Sequence, residues 1–164
     1  MIIPDINLLV YAYDSHSPFH ISAVHWWQSC LSGTEPIGLP HVVTFGFVRI
    51  VTSPRVFLNP MTPAEAAGHV RAWLGQPPVQ VIVAGHEHLG QTLELLVALG
   101  TAGNWVSDAQ LAALALDQGA VLHTADTDFA RFPGLRWFNP ITGRFFESAS
   151  KMIWRTILQG KEKQ

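Results

Sequence analysis

A single cysteine, Cys30, stands in the 164 residues. An internal disulfide framework and a cysteine-based zinc site are thereby excluded. Between Trp27 and Leu31, Cys30 is expected to be a buried small hydrophobe. No apolar run approaches the roughly 20 residues needed to span a bilayer. The start, MIIPDIN, reaches an acid at position 5 with no basic segment before it, so no secretory signal is expected. These absences point to a reducing cytoplasm. Charge is scarce as well: only 13% of residues are charged and the formal net charge is −2, which excludes a chain that binds nucleic acid through its overall charge. Lysine is missing from the first 150 residues. Lys151, Lys161 and Lys163 all lie in the last 14, together with Arg155. That end reads as a solvated tail, a contact segment, or residues foreign to the natural chain.

What is present is apolar. Hydrophobic residues make up 48%, with six Trp and nine Phe. Mean hydropathy is +0.21. The length suits one domain with a sizeable core, and the excess of large apolar side chains suggests surface that another chain covers. Met1–Pro4 reads as a short buried strand ended by a proline. Apolar residues at 6, 9, 10 and 13 have helical spacing, which sets Asp5 at a helix N-terminus, where an ordinary N-cap is the alternative to a functional role. A helix over 18–31 is expected to open with Ser17 as cap and Pro18 at its first position, with Ala23, Trp26, Trp27 and Cys30 inward. His16, His20 and His25 fall there without the spacing of a zinc pair and read as surface residues. Residues 37–39 are a candidate short strand, and 41–52 a helix. A capped helix starts at Thr62-Pro63-Ala64-Glu65 and runs to about Leu74, with Ala66, Ala67, Val70, Trp73 and Leu74 inward. Residues 79–83 read as a buried strand, 86–99 and 104–118 as helices, 120–123 as a strand, and 135–138 as the last one. The order β-α-α-α-α-β-α-α-β-β implies a parallel sheet covered by helices on both faces.

The chemistry gathers where apolar strands run into acids. Asp5 follows the first strand, Asp126 and Asp128 follow Ala120–His123, and Asp108 lies in a helix start. Parallel strands bring such ends together, and open α/β sheets build sites there. Several carboxylates in one cleft repel and raise one another's pKa, a cost that a divalent cation removes. Ligands that are all oxygen suit Mg²⁺ or Mn²⁺. Such a centre suits phosphodiester hydrolysis, with one carboxylate available as general base. The competing view is that Asp5 is a cap and D-x-D an ordinary loop. Arg49, Arg55, Arg131 and Arg136 are candidate phosphate contacts or else solvated charges. Trp26, Trp27 and Trp73 are core residues or the floor of a partner groove.

Asp5-x-Asn7-Leu8-Leu9, Ser107-Asp108-Ala109 running into Leu111–Ala115, and Thr124-x-Asp126-x-Asp128-Phe129 resemble, in order and spacing, the motifs of the PIN-domain ribonucleases. Phe47-x-Arg49 through Phe57 and Asp128-Phe129-Ala130-Arg131-Phe132-Pro133-Gly134-Leu135 extend the likeness to the VapC toxins of bacterial toxin–antitoxin pairs. The resemblance covers residues 1–141 and leaves 142–164 as a C-terminal extension or tail. It implies a three-layer α/β fold with a small parallel sheet. It implies an Mg²⁺-dependent endoribonuclease (Mn²⁺ substituting) that cleaves structured RNA such as tRNA or rRNA. A cognate VapB-type antitoxin and a homodimer are implied too. By position, Asp5, Asp108 and Asp126 would hold the metal, Asp128 would complete the acidic centre, and Thr124 would support it by hydrogen bonding. Arg49, Arg55 and Arg131 would contact the RNA. One departure stands out: many relatives carry a glutamate where this chain has Gly46, and 41–58 contain no acid. Asp128 or a water would fill the gap, or the metal would bind less tightly. A catalytically silent RNA- or partner-binding module is the second reading. A phosphatase using an aspartate nucleophile is disfavoured, since the first strand is not followed by D-x-D and no catalytic lysine is in place.

Overall fold

Three short central strands set the frame. Ile2–Pro4 (β1) and Ile37–Pro40 (β2) are buried at every position, and Val121–His123 (β4) lies on the other side of β1. Such apolar runs are what a parallel sheet covered on both faces requires. The computed structural model describes residues 1–148; the lysine-rich end lies outside the described residues. Between and beyond these strands come α1 (Ile6–Tyr13), α2 (His20–Ser32), α3 (His41–Val51), α4 (Pro63–Leu74), β3 (Val79–Ile82), α5 (His88–Leu99), α6 (Trp105–Asp117), β5 (Arg136–Asn139) and β6 (Arg144–Glu147).

The six-stranded sheet has the order β3-β2-β1-β4-β5-β6, parallel except for β6, which pairs antiparallel with β5. From β1 the chain steps outward through β2 to β3, then returns to the other side of β1 for β4. With the usual right-handed crossovers, the steps from β1 to β3 carry α1–α4 over one face and the return to β4 carries α5–α6 over the other. The packing agrees: α1 meets α2 and α3, α3 meets α4, and α5 meets α6. The reversal leaves a switch point between β1 and β4, where Pro4 pairs with His123. Ligands bind at such points, outside the carboxyl ends of the strands. No helix among the described residues is long and apolar enough to cross a membrane.

Aromatic residues fill the core under α1–α4. Trp73 meets Phe47 at 4.7 Å and Trp27 at 5.5 Å between ring centroids, and its indole N–H donates to Tyr13 Oη at 2.9 Å. Trp26, Trp27 and Trp73 are thus core residues. Thr62 and Glu65 form the expected capping box on α4, worth on the order of 1 kcal/mol. Gly46 lies close to Ile6: a Cβ there would stand 2.4 Å from Ile6 Cδ1, the far end of a flexible side chain that would have to turn aside.

Several elements differ from expectation. Ser17 does not cap α2. Its hydroxyl accepts from Phe19 N–H in a turn, and the helix begins at His20. Strand β3 is an edge strand, exposed over most of its length instead of buried. On α5 the buried residues are Thr92 and Leu95, whereas Leu89, Leu93 and Val97 face outward. On α4, Leu74 is partly exposed. Cys30 is half-buried, its thiol pushed up to about 12 by desolvation and the Glu35 charge. Finally, β6 lies past residue 141, so the sheet continues into the segment expected as tail. The β5–β6 connection is closed by Asn139 Oδ1, which accepts from Ile141 and Thr142 N–H, and by Gly143 at φ 68°.

Candidate active site

Asp5 occupies the N-cap position of α1 with extended backbone, yet its side chain makes no capping bond. Its carboxylate instead accepts from Thr124 Oγ1 at 2.6 Å, through Oδ2. The cap alternative therefore fails, and what holds Asp5 is the end of β4. Its own N–H donates to His123 O at 2.8 Å, the bond that fastens β1 to β4 just before the two side chains meet. Thr124 is fully buried. Its one hydroxyl proton goes to Asp5, so toward other groups it can only accept. It does so from Asp126 N–H at 2.9 Å and faces Asn7 Nδ2 at 3.5 Å. Thr124 thus sets Asp5 and Asp126 relative to one another across 121 residues of chain.

Asp126 opens a short 3-10 turn, Thr127–Arg131, and accepts from Asp128 N–H at 2.8 Å. Asp108 lies in the first turn of α6, where the helix dipole favours a negative charge. Asp5, Asp108 and Asp126 line one cleft of about 540 Å³, with Asn7, Tyr11 and Arg49. The three acids feel one another. Burial, and then the charges of Asp108 and Asp126, push Asp5 up to about 7 against the lowering effect of the Thr124 bond. Asp108 is pushed up to about 6 by burial, then by Asp126 and Asp128. Next to Thr124, His123 is held neutral, its pKa down to about 4 through burial. The Trp26 indole N–H donates to its Nδ1 at 3.0 Å.

Other expected members stand apart. Asp128 does not line the cleft. It is half exposed and pairs with Arg131 Nε at 3.7 Å, an i,i+3 contact on the 3-10 turn. The Arg131 guanidinium also lies 5.0 Å above the Trp105 ring, which removes it from the cleft. Arg55 is exposed in the turn after α3, where its N–H meets Ser53 Oγ. Arg136 donates to Gly119 O and closes the α6–β4 turn. Of the candidate arginines, Arg49 lines the cleft. Tyr11, Asn104 and Ser107 also line it, although sequence reasoning gave them no role. For Tyr11 a signal was there: Asn7 and Tyr11 are i,i+4 on the helix that Asp5 begins.

Among the described residues no three His, Cys, Asp or Glu side chains form a finished metal shell. The donor set nonetheless fits a hard divalent cation. It consists of oxygens alone, and two of its carboxyls are held protonated to unusually high pH by burial and by neighbouring carboxylates, the penalty that a dication relieves.

The sequence profile described as "PIN domain" matches residues 2–135. The chain is 48% identical over 141 residues to Ribonuclease VapC33 of Mycobacterium tuberculosis (strain ATCC 25618 / H37Rv), covering 86% of this chain and 99% of that protein. It is 37% identical over 144 residues to Ribonuclease VapC43 of the same strain, covering 88% and 98%. Among solved structures, VapBC2 from Rickettsia felis, bound to a DNA fragment from its promoter, superposes with a TM-score of 0.62 at 21% identity, covering 85% of this chain and 98% of that one. Mycobacterium tuberculosis VapC20, a Sarcin-Ricin loop cleaving toxin, gives 0.61 at 18% identity, covering 79% and 93%.

Proposed function

The chain belongs to the PIN-domain family, among its VapC ribonucleases, and on that premise we propose that it is a metal-dependent endoribonuclease toxin restrained by an antitoxin. The observation that carries this is the buried Asp5 carboxylate, held by Thr124 and electrostatically coupled to Asp108 and Asp126 in one cleft. Asp5, Asp108 and Asp126 would hold a Mg²⁺ ion, with Mn²⁺ as a substitute. A bound dication supplies a Lewis acid that lowers the pKa of a coordinated water and offsets charge on the phosphoryl oxygens. Thr124 keeps Asp5 oriented. Arg49, which lines the same cleft, meets the phosphate. Asp128 acts at one remove: its charge raises Asp108, while its carboxylate steadies Arg131.

Where typical relatives are described as carrying a glutamate, Gly46 packs against Ile6. The acid count at the metal is therefore three in our reading. The substrate is a structured cellular RNA such as tRNA or rRNA. The compartment is the cytoplasm, in keeping with a half-buried, unreactive Cys30. An apolar groove of about 270 Å³ between α3, α4 and β3, lined by Leu39, Phe45, Val48, Leu74 and Val81, is suited to an amphipathic antitoxin helix. The outward stripe Leu89, Leu93 and Val97 of α5 is suited to a homodimer contact.

The test is cleavage of total tRNA and rRNA by purified protein with Mg²⁺. Asp5→Asn and Asp108→Asn should each lower the rate at least ~100-fold, and excess EDTA should abolish it. Turnover that survives either change, or persists in EDTA, refutes the proposal. RNA binding at saturating metal without any turnover would favour the silent-module reading.

A further inference from the structure

The chain has two tyrosines, both on α1 and two residues apart. Tyr13 turns into the core, where its oxygen accepts from Trp73 Nε1 at 2.9 Å. Tyr11 turns to the acidic cleft and lines it with Asp5, Asp126 and Arg49. Its ring is braced by Phe19, centroids 5.2 Å apart at 55°. Its backbone carbonyl accepts from His20 Nδ1 at 3.0 Å, which ties α1 to the start of α2. These contacts use the ring and the main chain. The residue lines the cleft with these acids, and burial, then the charges of Asp5 and Asp126, hold the phenol above its ordinary value. It therefore keeps its proton, and it can donate.

A phosphodiester entering this cleft brings negative charge beside three carboxylates, and its non-bridging oxygens only accept. Groups that donate there are worth far more than in water, because they are fixed before the substrate arrives. A neutral hydroxyl donates to such an oxygen without adding a further charge to the cleft. We propose that Tyr11 is a catalytic residue whose hydroxyl donates a hydrogen bond to a non-bridging oxygen of the phosphate under attack. This rests on the ribonuclease function proposed above.

Tyr11→Phe keeps the ring and its packing on Phe19. Its kcat on RNA should fall about 10- to 100-fold, with KM, Mn²⁺ affinity measured by titration, and Tm close to wild type. A wild-type kcat overturns the proposal. So does activity lost in Tyr11→Leu but kept in Tyr11→Phe, which would mark a ring that only stacks on a base. A second readout needs no turnover. Asp108→Asn protein labelled with 3-fluorotyrosine gives two ¹⁹F resonances, assigned by the loss of one in Tyr11→Phe. With a ten-nucleotide single-stranded RNA of mixed sequence, the Tyr11 resonance should shift while that of Tyr13 stays. No shift, or equal shifts in both, overturns the proposal. Failure of the wild-type protein to cleave RNA would refute the ribonuclease function, and the ¹⁹F result would still decide whether this hydroxyl meets RNA.

Discussion

At the scale of single residues, the site is one buried carboxylate and what surrounds it. Folded Asp5 keeps a proton up to about pH 7, whereas an unfolded aspartate loses it near 3.8. Between those values the native state holds more protons, so this group's contribution to stability falls as pH rises. Asp108, at about 6, acts in the same direction. His123, held neutral down to about 4, acts in the opposite direction between about pH 4 and its unfolded value of 6.5. The Asp5 share is therefore read as a difference. Without metal, Asp5→Asn should melt several degrees above wild type at pH 8 and near it at pH 4. Mg²⁺ should raise the Tm of wild type but not of the variant, with an apparent affinity that climbs through pH 6 to 7. An equal pH response in both proteins would show that Asp5 titrates normally. Thr124→Val should cost about 1–3 kcal/mol by urea unfolding, because it strips a buried bond from Asp5, and should weaken Mn²⁺ binding. Asp5, Asp108 and Asp126 were legible because strand ends and helix starts in a parallel sheet converge, and Thr124 through the resemblance. The same logic drew Asp128 into the cluster, and Arg131 was read as a phosphate contact. Their pairing depends on a 3-10 turn that a D-x-D spacing does not disclose.

At the scale of elements, α1 and α3 meet closely at Gly46 and Ile6. Gly46→Ala should destabilise by about 1–3 kcal/mol through overpacking against Ile6. Adding Ile6→Val, which deletes the Cδ1 that a Cβ would strike, should recover part of the loss in a double-mutant cycle. Additive losses would show that the helices simply separate. Most elements could be read from periodicity and punctuation: the capping box of α4, the proline that ends β1, and the alanine-rich α6 that packs closely. Burial was harder. A run such as Val-Gln-Val-Ile in β3 looks alike at an edge and at a centre, since its neighbours are decided by chain order and not by its own residues. Likewise nothing in α5's own residues tells that Leu95 is buried while Leu89 and Leu93 are exposed. Strand β6 was missed because Arg-Phe-Phe-Glu is short. Its hairpin signal, Asn139 with Gly143, spans a loop instead of a two-residue turn.

At the scale of the whole molecule, a mostly parallel sheet with one reversal of strand order accounts for the site: β1 and β4 are neighbours, so residues 5 and 124 touch. The same architecture leaves apolar surface on α3, β3 and α5 that a lone chain has no reason to expose. If that stripe is a homodimer contact, Leu93→Glu should shift the protein to half its mass in size-exclusion chromatography with light scattering, with RNA cleavage per site retained. A wild-type protein already monomeric at high micromolar concentration would contradict it. Everything proposed about function depends on one geometric claim, that Asp5, Asp108 and Asp126 together hold a dication. The most direct test is anomalous diffraction from a crystal soaked in Mn²⁺. The expected result is a strong peak within coordination distance of carboxylate oxygens from Asp5, Asp108 and Asp126, absent in Asp108→Asn. A saturating soak with no peak in this cleft, or with its peak on Asp128 and away from Asp5, would contradict the assignment.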